Sequence, residues 1–175
     1  SLYFQRCAKH IEEILTAPLS YAEMIIGYVL SAIVRAAIIA AGIYAIAIFF
    51  GAARIVSPFL FVYYTVLVAT IFSLVGLIVA LWSNTFEQLS ILNTFFITPM
   101  TFLGGVFSST DMLPAGLRWL HTWNPFFYFV DGLRYSMIGL REGNALVGHL
   151  VIWSLVVSLF CVVWVLFSRG WRLRH

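Results

Sequence analysis

The sequence predicts an all-α integral membrane protein. Apolar residues make up 62% of the chain and charged residues only 10%, whereas a soluble domain carries about 25% charged residues. The mean hydropathy is +0.99. Four apolar runs approach or exceed the length of about 20 residues that a helix needs to cross a bilayer. Because lipid cannot satisfy the open edge of a strand, we expect these runs to be helices.

Residues 1–20 precede the first predicted span. Residues 1–5 resemble a protease-tag scar, and the chain starts without methionine, so we expect a piece of a longer protein. The rest of the segment predicts a short amphipathic helix, which a proline ends. It either rests on lipid headgroups or docks a cytoplasmic partner, and two adjacent glutamates favour the partner, since anionic lipid would repel them. The residues of this surface are Ile11, Glu12, Glu13, Ile14, Leu15 and Pro18.

The first two predicted spans cover residues 22–50 and 58–82. Ser20 and Glu23 have the spacing of a capping box before the first, and Ser57 precedes a proline at the first helical position of the second. Arg35 lies close to the middle of the first span, where an arginine costs about 2.5–3.5 kcal/mol on insertion scales. It should therefore face a partner or water, in either a structural or a path-lining role.

The third predicted span, residues 86–108, is uncharged from Leu89 onward but interrupted. Pro99 removes a backbone hydrogen bond and clashes one turn back, and Gly104 and Gly105 loosen the helix further. A broken helix at membrane depth is tolerated where it is buried or lines a cavity. Asn93 is expected to form an interhelical hydrogen bond or to line a path.

An outer segment, residues 109–144, joins the third span to the fourth. Asn124 and Pro125 predict a helix start, with the helix continuing to Arg141. Asp131 and Arg134 are spaced to pair on one face of that helix. The aromatic residues suit the belt at a membrane interface, and these are Trp119, Trp123, Phe126, Phe127 and Tyr128.

The fourth predicted span covers residues 145–168 and precedes a basic tail, residues 169–175. Basic residues at both ends of the chain place both termini in the cytoplasm by the positive-inside rule, and an even number of crossings agrees. Arginines in the outer segments count against this orientation. The residues in favour are Arg6, Lys9, Arg169, Arg172 and Arg174.

Several kinds of function are excluded or disfavoured by composition. The net charge of +3 comes from few basic residues at the edges of apolar runs, so no nucleic-acid binding is expected. The four histidines are scattered, which predicts no metal site, and both cysteines are expected to be free. Lys9 is the only lysine and stands outside any GxxxxGK[ST] pattern, so this chain holds no such ATP-binding loop. No catalytic residues are expected.

Six stretches, in order and spacing, resemble the type-2 ATP-binding-cassette (ABC) permeases. The match runs from about residue 5 to the C-terminus, and the succession of stretches carries the resemblance rather than any single motif. The stretches are residues 11–20, 99–107, 113–114, 119–120, 124–126 and 130–135.

The resemblance implies an exporter subunit of a bacterial inner membrane. Such permeases have six spans per subunit and work as pairs, here expected to be identical. Two cytoplasmic ATPase subunits, which hold ATP and Mg, drive them. The four spans here would be the last four, residues 11–17 would lie at the coupling helix, and residues 99–141 would form a broken fifth helix with a re-entrant outer gate. The gate residues would be Pro99, Gly104, Gly105, Asn124, Pro125, Asp131 and Arg134.

Other functions stay open at this point. A helical scaffold or passive channel predicts ATP-independent flux or none. An intramembrane enzyme needs metal ligands or a base inside the spans, where the sequence offers no such set. Within the exporter class, an amphiphilic, lipid-like, drug-like or glycan substrate is compatible with the apolar spans, which also contact membrane lipid.

Overall fold

A computed structural model describes residues 20–51, 55–83, 88, 90–91, 93–104 and 123–168. It confirms an all-α integral membrane protein. Three of the described helices are long and apolar enough to cross a membrane: α1, α2 and α5. The elements are α1 (Tyr21–Phe49), α2 (Pro58–Trp82), a π-helical turn (Asn93–Ile97) that continues into α3 (Thr98–Leu103), α4 (Pro125–Ile138) and α5 (Ala145–Ser168).

The start of α1 is the capping box that the sequence predicts. The Ser20 hydroxyl accepts from the Glu23 backbone N–H at 3.3 Å, and the Glu23 carboxylate accepts from the Ser20 N–H at 2.7 Å. Two backbone donors that lack partners within the helix are thereby satisfied.

The start of α2 is satisfied differently from the expected cap. Pro58 occupies the first turn, but the Ser57 side chain makes no capping bond. Instead the backbone N–H groups of Val56 and Ser57 donate to the Ser136 carbonyl at 3.1 and 3.0 Å. Two backbone N–H groups before α2 thus bond to a backbone carbonyl in the last turn of α4 that has no partner within its own helix.

The end of α4 corrects the predicted boundary. The helix stops at Ile138, before Arg141, because Gly139 takes a left-handed conformation with φ of 75°. Its N–H donates to the Tyr135 carbonyl at 2.9 Å. Glycine adopts this conformation without steric cost, which makes it a common helix terminator.

Two apolar clusters hold the helices together. The first joins the start of α1 to the ends of α2 and α5, so these three helix ends lie at one end of the bundle, here called the Ser20 end. The second joins the first half of α2 to α4 and the first half of α5, near the opposite or Pro58 end. Since α1 starts and α5 ends at the same end of the bundle, the described helices return to the side from which they began.

Much of α1 remains uncovered. It buries only Met24 and Ile25, whereas α2 packs against α1, α4 and α5. One exposed stripe follows the four-residue spacing of a helix face. Its members, more than half exposed, are Ile26, Leu30, Val34 and Ile38. Exposed alkyl side chains of this kind suit contact with lipid or with another apolar helix.

Candidate functional site

A trough lies between α1 and α2 and is the larger of two described cavities, with a volume of about 720 Å³. Leu133 and Met137 of α4 line it near the Pro58 end. Its walls consist mostly of alkyl and aromatic side chains. The trough therefore runs along the membrane-spanning parts of both helices.

Small residues explain why the trough is open. They recur on the facing sides of the two helices, where larger side chains would fill the space, and a Cβ added at Gly76 would meet nothing within 4 Å. The small lining residues are Ala32, Ala36 and Ala40 of α1 with Ala69, Gly76 and Ala80 of α2.

Arg35 lines this trough and is exposed. It lies midway along α1, 14 residues from each of Tyr21 and Phe49. Among the described residues no carboxylate forms an ion pair with it. The sequence predicts that Arg35 faces a partner or water, and the structure places it as a cation on a largely apolar wall.

The third predicted span is described in part, and that part is broken. The π-helical turn Asn93–Ile97 passes directly into α3, with Pro99 in the first turn of α3. Proline has no N–H for the Phe95 carbonyl and clashes with it in a regular α-helix. A wider π turn at this point is a recognised way to accommodate such a defect, and π turns are frequent at functional sites.

The end of α3 is tied to the start of α4 through Asn124. The Gly104 N–H bonds to the Thr101 carbonyl at 3.2 Å rather than one residue further back. The Met100 carbonyl instead accepts from the Asn124 side-chain amide at 2.9 Å. The Asn124 side-chain oxygen also caps α4, accepting from the Phe126 N–H at 3.0 Å.

Gly104 permits this junction sterically. A Cβ there would stand 2.6 Å from the Cβ of Phe126, far inside van der Waals contact. The structure thus places three predicted gate residues at one junction. Gly104 lies against the first turn of α4, Asn124 caps that helix and Pro125 is its first residue.

A polar cluster occupies the Pro58 end. Arg141 Nε lies 3.7 Å from Asp131 Oδ2, while the Glu142 backbone N–H donates to Asp131 Oδ1 at 2.7 Å. Arg134 pairs with the Glu142 carboxylate. The expected pair of Asp131 with Arg134 is therefore wrong, because the segment after Gly139 folds back and gives each charge a different partner.

Tyr64 links this cluster to α2 and α5. Arg141 Nη2 donates to the Tyr64 hydroxyl at 2.9 Å, and His149 Nε2 lies 3.3 Å from that oxygen. His149 Nδ1 lies 2.7 Å from the Ala145 carbonyl, which can only accept. In the neutral ring Nδ1 therefore carries the hydrogen, and Nε2 accepts from Tyr64.

Sequence reasoning missed the roles of Tyr64 and His149. The two residues are 85 positions apart, and a single sequence holds no signal that would join them. We call the whole group the Pro58-end cluster, and its members are Tyr64, Asp131, Arg134, Arg141, Glu142 and His149.

The aromatic-belt interpretation was only partly right. Trp123 is 82% exposed, as expected for an interface. Phe127 and Tyr128 are buried instead, in the second apolar cluster against α2 and α5. They contribute to the packing of the bundle rather than to its surface.

Several predictions fall outside the described residues or their described side chains. These are the amphipathic segment 1–19, the tail 169–175, Trp119, Gly105, Cys7 and the side chain of Asn93. Of the two cysteines, Cys161 is described, and it is a free thiol. Within the described residues there is no group of three potential metal ligands.

Long apolar helices define a multi-spanning membrane protein. The open trough between α1 and α2 and the break in the third predicted span are features expected of a permease. The sequence profile of the family described as "ABC-2 type transporter" matches residues 1–138. The chain belongs to the ABC-2 type transporter family. It is a membrane permease of such a transporter.

Curated relatives extend the match over almost the whole chain. The "Inner membrane transport permease YadH" of Escherichia coli (strain K12) is 34% identical over 174 residues, which cover 99% of this chain and 68% of the relative. The protein of the same description from Shigella flexneri matches with the same identity and coverage. No solved structure matches the chain.

Proposed function

We propose that the chain is the membrane subunit of an exporter that a separate ATPase drives. It works as a pair with a second, identical permease subunit and moves an amphiphilic substrate. The observation that carries the proposal is the open trough across the spans of an ABC-2 family member. The given sequence contains no phosphate loop, and in this proposal ATP and Mg are bound by the separate ATPase.

The amphipathic segment before α1 is the proposed contact with the ATPase. α1 begins immediately after Ser20, so a helix over residues 11–17 would lie close to the membrane surface at the Ser20 end. α5 ends at the same end of the bundle, and the basic residues that follow favour a cytoplasmic location. We therefore assign the Ser20 end, and with it both ends of the chain, to the cytoplasm.

The break in the third span is the proposed outer gate. Regular helical hydrogen bonding is interrupted close to α4. The interruptions are the π turn, Pro99 and the junction of Gly104 with Asn124. α4 in turn lines the trough near the Pro58 end. A rearrangement at this junction would change access to the trough from the outer side.

Association with an ATPase is the first test. The intact protein, isolated from its native membrane in mild detergent, should co-purify with a phosphate-loop ATPase. Inverted membrane vesicles that contain both should take up an amphiphilic dye in an ATP-dependent manner. Reversing both charges at Glu12 and Glu13 to arginine should reduce co-purification. Cys161→Ser, far along α5, is the matched control and should not.

Two results would contradict the exporter. One is dye movement at an equal rate without ATP, which indicates a passive channel. The other is the absence of any bound ATPase under gentle conditions.

Orientation is tested separately with His175→Cys, because a membrane-impermeant thiol reagent should label this position in inverted vesicles and not in intact spheroplasts.

A further inference from the structure

The trough has the dimensions of a small-molecule site. Its volume of about 720 Å³ lies within the range of about 300–1,000 Å³ usual for ligand pockets. From Tyr28 to Ala47 it extends about 28 Å along α1. A transmembrane helix of that length, about 10–12 Å across, would have to lie mostly outside such a cavity.

Arg35 divides the trough into a short and a long arm. The arm towards Tyr28 measures about 10 Å, and the arm towards Ala47 about 18 Å. Ile39 and Ile43 line the long arm with alkyl surface. Its length is slightly more than half of the hydrocarbon core of about 30 Å, so it matches one long alkyl chain in extended form.

The charge of Arg35 indicates that the polar group of the occupant is an anion. The described carboxylates are bound elsewhere, Glu23 at the start of α1 and Asp131 and Glu142 in the Pro58-end cluster. None of these three carboxylates pairs with Arg35. A guanidinium in an apolar wall is satisfied by a carboxylate or phosphate, which it can bind with two parallel hydrogen bonds.

We propose that the trough binds an organic anion with one acidic group and one long apolar tail. The acidic group sits at Arg35, and the tail runs along α1 towards Ala47. This inference rests on the proposed export function, since it names the class of substrate for that site. The binding itself requires no ATPase, so it can be measured separately from transport.

Photolabelling with a matched pair of probes tests the proposal. The intact protein, in nanodiscs of zwitterionic lipid at pH 8, is exposed to a long-chain carboxylic acid with a diazirine in its tail, or to the corresponding alcohol. Labelled peptides are identified by mass spectrometry. The acid should label α1 and α2 along the trough about ten times more than the alcohol does, as loss of a charged hydrogen bond implies.

Variants of Arg35 test the charge. Arg35→Gln should lower labelling by the acid about tenfold, while Arg35→Lys, which keeps the cation, should retain most of it. Equal labelling by acid and alcohol, or no effect of Arg35→Gln, would overturn the proposal.

A pair of glycines tests the space. Gly76 lines the trough, so Gly76→Leu adds a side chain to its wall, whereas Gly42→Leu adds the same side chain to α1 outside the trough. A Cβ at either position meets nothing within 4 Å, so the two positions are matched in local space. The first should abolish labelling and the second should not. Absence of trough labelling in the unmodified protein, as when a second copy or another helix fills it, overturns the proposal.

The outcome for the site and the outcome for export are distinguishable. Labelling that depends on Arg35 in a protein that never binds an ATPase would reject the exporter and keep the anion site. Normal ATP-dependent dye transport without acid-selective labelling would keep the exporter and reject the anion site.

Discussion

The trough and the Pro58-end cluster share helix α2 but are built in opposite ways. At the trough, small residues of α1 and α2 leave space that side chains do not fill, and Gly76 has open surroundings. At the cluster, a Cβ on Gly132 would lie 2.4 Å from the Tyr64 ring, and Asp131 is 5% exposed. One end of the bundle is thus closely packed and hydrogen-bonded, while the trough stays open to an occupant.

This difference indicates how stability and binding are divided. Buried ionic groups are costly to disrupt once their partner is removed, and close packing leaves little tolerance for added atoms. Substitutions in the cluster should therefore mainly lower stability. Substitutions in the trough should leave stability nearly intact and change what binds there.

The largest loss of stability is expected for Asp131→Ala. It removes the counter-ion of Arg141 and the acceptor of the Glu142 N–H, which should cost about 1.5–3 kcal/mol. Thermal unfolding of the purified protein in detergent measures the change. The double variant with Arg141→Ala should recover part of the loss, and a purely additive result would show that the two side chains do not interact.

Alanine at two helical glycines should have opposite effects. Gly132→Ala forces a methyl group against the Tyr64 ring and should destabilise by about 1–3 kcal/mol. Gly76→Ala meets open space and should stabilise by up to about 1 kcal/mol, the difference in helix propensity. Equal thermal stabilities of the two variants would contradict the difference in packing between the cluster and the trough.

The smallest effect is expected for Arg134→Ala. Its ion pair with Glu142 is about a quarter exposed on each side, and such pairs contribute about 0.2–1 kcal/mol. The same thermal assay, with and without added salt, should show a small loss that shrinks as salt rises. A loss as large as that of Asp131→Ala would mean that the cluster acts as one unit rather than as a core with a peripheral pair.

Local signals predicted the parts of the structure that depend on local chemistry. The capping box at Ser20 and the cap at Asn124 lie within three residues of the groups they satisfy, so the sequence contains them directly. Apolar length was enough to identify α1, α2 and α5, the three described helices that are long enough to cross a membrane, because lipid leaves the backbone no alternative to a helix. Pro99 likewise marked a break, and the structure adds that it takes the form of a π turn.

Contacts between distant residues were beyond the same reasoning. Asp131 and Arg134 had suitable spacing on a helix. The chain turns at the left-handed Gly139, however, and Asp131 forms its ion pair with Arg141 instead. Tyr64 is 77 positions from Arg141, which donates a hydrogen bond to its hydroxyl. Nothing in the sequence distinguishes this tyrosine from others in the apolar spans. The trough itself is a property of two facing helices, and neither helix reveals it alone.

The backbone bonds from Val56 and Ser57 to the Ser136 carbonyl have a mechanical consequence. They fasten the start of α2 to the last turn of α4, and Tyr64 and Arg141 add a second fastening nearby. We expect α2 and α4 to move as a single lever. The hydrogen bond from the Asn124 side-chain amide to the Met100 carbonyl lies where α4 meets the broken helix. We expect that junction to be the hinge, so that a displacement of α2 would rotate α4 relative to the broken helix.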